Sequence, residues 1–281
     1  MQRICKDLPK SFEIIIGSCT HIGSIMCYYD GIEKAVDYVK SGKNRYFIHL
    51  GDWIEAICTD DKRYNAPPEH LKSKEEQIPF KQAKEAVRLF KPIKNKIIVG
   101  LWGNHERYLS KYGNLVEDHI CSELDIPFGT EACRIILTNN NQPLFNIFAM
   151  HGRKIFNSSA KDFEQREANM KAALKLYLQE QEADCAVMVC GHGHKIIVCE
   201  PSKRLILLDG ETTQHQQYLK GLTKTGYIQP DQRWYGMAGS ARKSRLDGYD
   251  DYAQCFSPAD LGFLKLIVEN KEIIKLEHFY I

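Results

Sequence analysis

The chain has 281 residues, 43% of them apolar, enough for one large domain (residues 1–281) with a sizeable core. Lys and Arg number 38 against 36 Asp and Glu, and a net charge of +2 gives no global attraction for nucleic acid or membrane, so recognition of anions must be local. Ten irregularly spaced cysteines without a secretory segment argue against a disulfide framework and for reduced thiols in a cytoplasmic protein, and no apolar run approaches the roughly 18 to 20 residues of a membrane span.

Phe12 to Ile16 reads as a short buried strand ended by Gly17, and Tyr46 to Leu50 and Ile97 to Leu101 repeat that form beside glycines. Between them, Ile32, Ala35, Val36 and Val39, then Phe80, Ala83, Val87 and Phe90, recur at helical spacing. Strand alternating with helix implies parallel pairing, and ligands of such sheets gather beyond the carboxyl ends of the strands. Residues 58 to 79 are polar, carry Pro67-Pro68 and read as an excursion near those ends. A helix is expected near Leu115 to Leu124, then strands at Cys133 to Thr138 and Leu144 to Met150. A long helix over Lys161 to Glu182 is expected to turn Phe163, Met170, Leu174 and Leu178 to one side. Cys185 to Cys190, Ile196 to Cys199 and Arg204 to Asp209 read as strands, and the C-terminus as a hairpin about Glu269-Asn270-Lys271.

Short polar strings stand where these apolar runs end: THIGS at 20–24, GDWIE at 51–55, GNHER at 103–107, His151-Gly152, and GHGH at 191–194. A lone histidine is ordinarily core or surface, which is the reading for His49, His70, His119, His215 and His278. Histidine, aspartate and asparagine repeated at successive strand ends suit a two-metal hydrolytic centre instead. Such a centre needs one anionic ligand to bridge the cations, neutral donors to complete each sphere, and open positions for water and substrate. Asp52, at the head of a Gly51 turn, is the natural bridge.

In order and content these strings resemble the signature DxH, GDxxE, GNHE, H and GHxH of calcineurin-like metallophosphoesterases, over residues 17 to 194. The resemblance implies an α/β fold, a four-layer α/β/β/α sandwich with two divalent metal ions at its edge. It implies that Cys19, at the position of the usual aspartate, would join His21, Asp52 and His194 on the first metal. Asp52, Asn104, His151 and His192 would hold the second, and His105 would act as general acid toward the leaving oxygen or stabilise the transition state. Thiolate suits zinc or iron better than manganese, so a coordinating Cys19 favours softer metals at the first site, whereas a packed, inert Cys19 would leave that site weak or empty.

For substrate, the planar fork of Arg107 could reach a phosphate oxygen or pair with a nearby acid. Residues 234 to 252 mix glycine, aromatics and the cations Arg242, Lys243 and Arg245, as a loop that binds a nucleotide base and phosphate would. The leading expectation is therefore a phosphodiesterase or nuclease on nucleic acid or nucleotides, working alone or as a small oligomer. A phosphomonoesterase or protein phosphatase is the alternative, weakened because Trp102 stands where the protein-phosphatase branch carries an arginine. A metal-binding scaffold disabled by Cys19 is the third.

Overall fold

A computed structural model describes residues 1–58, 61, 78–109, 113–202, 205–210, 213–218, 226–248 and 257–281. Its centre is a pair of β-sheets. One has five strands in the order β13 (Glu272–Tyr280), β12 (Gly262–Glu269), β2 (Phe12–Gly17), β3 (Arg45–His49) and β4 (Ile97–Gly100). The other has six, in the order β1 (Gln2–Asp7), β5 (Ala132–Asn139), β6 (Gln142–Met150), β7 (Val187–Cys190), β11 (Trp234–Met237) and β8 (Ile197–Cys199). A separate hairpin pairs β9 (Leu205–Asp209) with β10 (Gln214–Tyr218).

The period of two in the strands sorts their side chains into the layers. Ile14 and Ile16 of β2, Ile147 and Ala149 of β6, Val187 and Val189 of β7 and Leu264 and Leu266 of β12 share the apolar layer between the sheets. Ile15 and Phe47 face the other way, under the helices α1 (Tyr29–Ser41) and α2 (Ile78–Phe90). Phe148, Met188 and Cys190 meet Leu174 and Leu178 of α5 (Phe163–Gln179) on the outer face of the six-stranded sheet. Helix, sheet, sheet and helix therefore form the four layers of an α/β/β/α sandwich. The pairs β2 with β3 and β3 with β4 are parallel, as their alternation with helices requires.

Several elements differ from expectation. The segment after Leu115 opens as a π-helical turn, Val116–Cys121, before a short α4 (Ser122–Leu124). Phe163 and Phe80 are exposed, and the buried stripe of α5 narrows to Leu174 and Leu178. The strand β1 escapes the sequence reading because QRICKD is an edge strand with exposed polar positions. Residues 234–252 are not one surface loop: Trp234–Met237 forms β11, inside the sheet between β7 and β8, with Tyr235 buried. Gly236, read as loop punctuation, sits there because the side chains of Leu264 and Leu276 occupy the space a Cβ would take. The excursion at 58–79 and the end of the 234–252 segment lie almost wholly outside the described residues. All nine described cysteines are free thiols, and among the described residues no helix is long and apolar enough to cross a membrane.

Candidate metal centre

Each polar string leaves a strand of the sandwich at its carboxyl end. The loops after β2, β3 and β4 are laced together by the backbone: Cys19 N–H donates to Gly51 C=O at 2.9 Å and His21 N–H to Asp52 C=O at 3.1 Å. In the second sheet Gly191 N–H, after β7, donates to the carbonyl of His151, after β6, at 2.9 Å, and His151 Nδ1 reaches across to the Leu50 carbonyl at 2.8 Å. Glycine is required where these loops touch. Gly51 has φ +98°, and a Cβ on Gly103 would fall 2.0 Å from Asp52 Oδ1.

Backbone strain collects on the same residues. Cys19, His21, Asp52, His192 and His194 all adopt positive φ, between 46° and 70°. Non-glycine residues reach this region at a cost on the order of 1 to 3 kcal/mol each, and they persist there where the surroundings over-determine them, as at functional sites. That cost falls on five of the seven expected ligands.

The first donor set is Cys19 Sγ with the imidazole nitrogens of His21 and His194, all mutually within 4.8 Å. His21 Nδ1 lies 2.8 Å from Glu55 Oε2, which favours a proton on Nδ1 and leaves the Nε2 lone pair facing His194 Nε2 at 3.2 Å. Burial pushes the Cys19 thiol well above its ordinary pKa and the Asp52 carboxylate adds to the shift, so a thiolate here needs a neighbouring cation. Two donors stand ready for that thiolate: the Ser18 hydroxyl at 3.1 Å and the backbone N–H of His192.

The second set is built on Asp52. His151 Nδ1 is 2.8 Å from the Leu50 carbonyl, which can only accept, so Nδ1 carries the proton. Its Nε2 lone pair then faces Asp52 Oδ2 at 3.3 Å and Asn104 Oδ1 at 3.0 Å. In the neutral tautomer with its proton on Nδ1, a nitrogen lone pair, a carboxylate oxygen and an amide oxygen converge, an arrangement that a divalent cation satisfies in place of a second imidazole proton. The same demand raises the His151 pKa: burial opposes the imidazolium, and Asp52 more than offsets it. His192 stands beside this set, its ring 5.3 Å from that of His151, and burial with His151 lowers its pKa to about 4. The residues present therefore fit two divalent cations, with Cys19 Sγ in both sets and Asp52, in the second, 4.0 Å from His21 Nε2 of the first.

Three carboxylates are buried around these donors: Asp52 (1% exposed), Glu55 and Glu106 (2%). Burying an ion costs several kcal/mol unless it is paired and hydrogen-bonded. Glu106 is answered by N–H donors, taking Ile54 N–H at 3.0 Å and Gly103 N–H at 2.8 Å, and so clamps the second motif to the third. Burial, with Asp52 nearby, still lifts its pKa to about 7. Asp52 Oδ1 accepts His105 N–H at 3.0 Å, and burial is overcome by His151 and His105, which hold its carboxyl well below the usual range.

His105 is buried in the third group of convergent donors, with His21 and Glu55. Its Nδ1 lies 2.5 Å from the Glu55 carbonyl, which directs the proton to that nitrogen, and its ring packs edge-on against His21 at 4.6 Å.

The four cations expected to bind substrate do not act together. Arg107 Nη1 is engaged by Glu131 Oε2 at 2.5 Å, the ion pair weighed against a phosphate contact. Arg242 is 4% exposed and lies within electrostatic reach of Glu55 and His194, inside the centre rather than on an open loop. Lys243 lies over the Tyr28 ring at 5.0 Å, and Arg245 is exposed.

Some supporting residues were not singled out from the sequence. His49, read as core or surface, is fully buried and stacks on Trp53 at 3.6 Å; its Nδ1 accepts Gly51 N–H and its Nε2 meets Thr20 Oγ1, fixing the turn that presents Asp52. Ser240 Oγ–H and Ala241 N–H both donate to the Cys19 carbonyl, so the segment after β11 holds Cys19 in its strained conformation. The fixed letters Glu55 and Glu106 of the motifs were the available signal for the carboxylates; for Ser240 there was none.

A family model described as calcineurin-like phosphoesterase matches residues 12–217. Among solved structures, the chain is similar to a conserved uncharacterized protein, a predicted phosphoesterase, from Streptococcus pneumoniae TIGR4, at 15% identity over 96% of this chain and 97% of that one, TM-score 0.31. It is similar to NAD nucleotidase of Haemophilus influenzae at 12% identity over 95% of this chain and 49% of that one, TM-score 0.43. It is also similar to a putative 5′-nucleotidase of Staphylococcus aureus in complex with alpha-ketoglutarate, at 10% identity over 96% and 53%, TM-score 0.42. The chain spans about half the length of the two nucleotidases. No curated protein matches it.

Proposed function

The chain belongs to the calcineurin-like phosphoesterase family, a metal-dependent hydrolase of phosphoric esters, and from that premise we propose that it cleaves phosphodiester bonds in nucleic acid or nucleotides at a dinuclear centre. The observation that carries the dinuclear reading is the pair of adjoining donor sets, Cys19–His21–His194 and Cys19–Asp52–His151, with Asp52 Oδ2 also 4.0 Å from His21 Nε2 and Asn104 Oδ1 3.0 Å from His151 Nε2. Cys19, His21, Asp52 and His194 would hold the first ion, and Asp52, Asn104, His151 and His192 the second. When bound, two divalent ions supply Lewis acidity toward the phosphoryl oxygens and a water acidic near neutral pH.

The chain's own residues set the rest. The Leu50 carbonyl sets the tautomer of His151 so that it presents Nε2 as a ligand, and the Glu55 carboxylate, 2.8 Å from His21 Nδ1, favours the same tautomer for His21. His105, anchored through Nδ1, keeps Nε2 to hold or give a proton at the leaving oxygen. Buried Arg242 offsets part of the carboxylate charge. With sulfur in the first set, zinc or iron is the fitting metal there. A diester is favoured because Trp102, packed edge-on to Phe128 at 5.8 Å, occupies the position at which protein phosphatases of the family carry an arginine.

Hydrolysis of bis(p-nitrophenyl) phosphate and p-nitrophenyl phosphate, assayed with zinc, iron or manganese added, tests the reading. Faster turnover of the diester is expected; a preference for the monoester selects the phosphomonoesterase, and activity on neither with any metal selects the scaffold.

A further inference from the structure

We infer that Arg107 and Arg153, gathered on Glu131 at the rim of the metal centre, form a second anion subsite that takes the phosphate adjoining the scissile one in a single-stranded polynucleotide. This rests on the phosphodiesterase reading and narrows it to a polymeric substrate.

Both arginines emerge beside candidate ligands of the second metal. Arg107 lies three residues past Asn104 in the short helix α3 (Asn104–Tyr108), and Arg153 two residues past His151. Glu131 joins them: its backbone carbonyl accepts His151 N–H at 3.0 Å, while its carboxylate takes Arg153 Nε at 2.8 Å, Arg153 Nη2 at 3.1 Å and Arg107 Nη1. Arg107 is 47% exposed and Arg153 63%. The cluster is thus open to solvent and tied by one hydrogen bond to a metal-site histidine.

Stability accounts for only part of it. The bidentate Arg153–Glu131 pair is the favourable form of an exposed ion pair, but a second guanidinium on the same carboxylate adds repulsion between like charges. The cluster carries a surplus of one positive charge on a chain whose net charge is only +2. Each guanidinium has five N–H donors in a planar fork, of which Glu131 takes only part, and the fork matches a phosphate bidentately. Glu131 thereby holds two phosphate-binding groups side by side while leaving donors outward. A single-stranded chain entering the centre with one phosphate on the metals has its next phosphate to place, and this is the cationic ground beside the second set.

The test is binding of a fluorescently labelled, cleavage-resistant phosphorothioate oligonucleotide to zinc-loaded protein, read by anisotropy across a salt series. The double variant Arg107→Gln/Arg153→Gln is expected to bind about tenfold or more weakly. Its plot of log affinity against log salt concentration should be shallower by about 0.7 for each phosphate that is no longer neutralised. Glu131→Gln, which frees both forks, is expected to bind several-fold more tightly. Thermal unfolding of each variant near the wild-type temperature confirms the fold. The subsite is overturned if wild type does not bind, if the double variant keeps the wild-type affinity and salt slope, or if Glu131→Gln weakens binding as the double variant does. Hydrolysis of bis(p-nitrophenyl) phosphate by wild type, run in parallel, separates the two claims: its absence removes the phosphodiesterase reading, and its presence with unaltered oligonucleotide binding removes the subsite alone.

Discussion

The two donor sets differ in what they are made of and in how they are held. The second set, Asp52, Asn104 and His151, is mainly oxygen and nitrogen, with Cys19 Sγ at its edge and the imidazole tautomer set by the Leu50 carbonyl. The first, Cys19, His21 and His194, is sulfur and nitrogen, its histidine oriented by a buried carboxylate and its cysteine held by Ser240 and Ala241 from a remote part of the chain. The contrast teaches that two adjoining donor sets can differ in chemistry while both lie within reach of Cys19 and Asp52. It also predicts that changes on either side have separable effects.

The largest effect should follow from Asp52→Asn, which removes the carboxylate that belongs to the second set and lies 4.0 Å from His21 Nε2 of the first. Turnover is expected to fall about a thousandfold or more, since metal stabilisation of the transition state is worth several kcal/mol and each 1.36 kcal/mol is tenfold. Metal analysis should show both ions diminished; loss of one alone would mean that Asp52 does not span the sets. His105→Ala comes next, with kcat lowered about a hundredfold and metal content retained. Loss of metal from that variant would make His105 a ligand, as its grouping with His21 and Glu55 also permits.

Glu55→Gln sharpens the comparison on the first side. Removing the charge that orients His21 should weaken the first metal about 10- to 100-fold and leave the second unchanged, as read by calorimetric titration. Equal weakening of both would mean that the sets act as one. The smallest effect on rate is expected for Cys19→Asp, which restores a hard oxygen ligand. Activity should be kept or raised, with metal preference moved toward manganese; abolition of activity with every metal would contradict the assignment.

Much of this was legible in the sequence because strands ending in polar strings carry their own geometry. Ile14, Ile16 and Ile48 face the inner layer, Gly51 and Gly103 mark where two loops approach one another, and Gly17 makes room for the Phe47 ring. The segment from Trp234 onward was not legible. Its glycine and aromatics look like a loop, and only the packing of Gly236 against Leu264 and Leu276, residues distant in sequence, shows why a buried strand needs them. The same holds for Arg107, whose partner Glu131 lies in a part of the chain with no motif. The strain at Cys19 is likewise invisible until Ser240 is brought beside it.

The central claim is that sulfur belongs to the first metal set. Zinc K-edge X-ray absorption of the zinc-loaded protein tests it directly: the account predicts a sulfur shell at about 2.3 Å in wild type that disappears in Cys19→Asp, whereas a wild-type spectrum with only oxygen and nitrogen near 2.0 to 2.2 Å would contradict it.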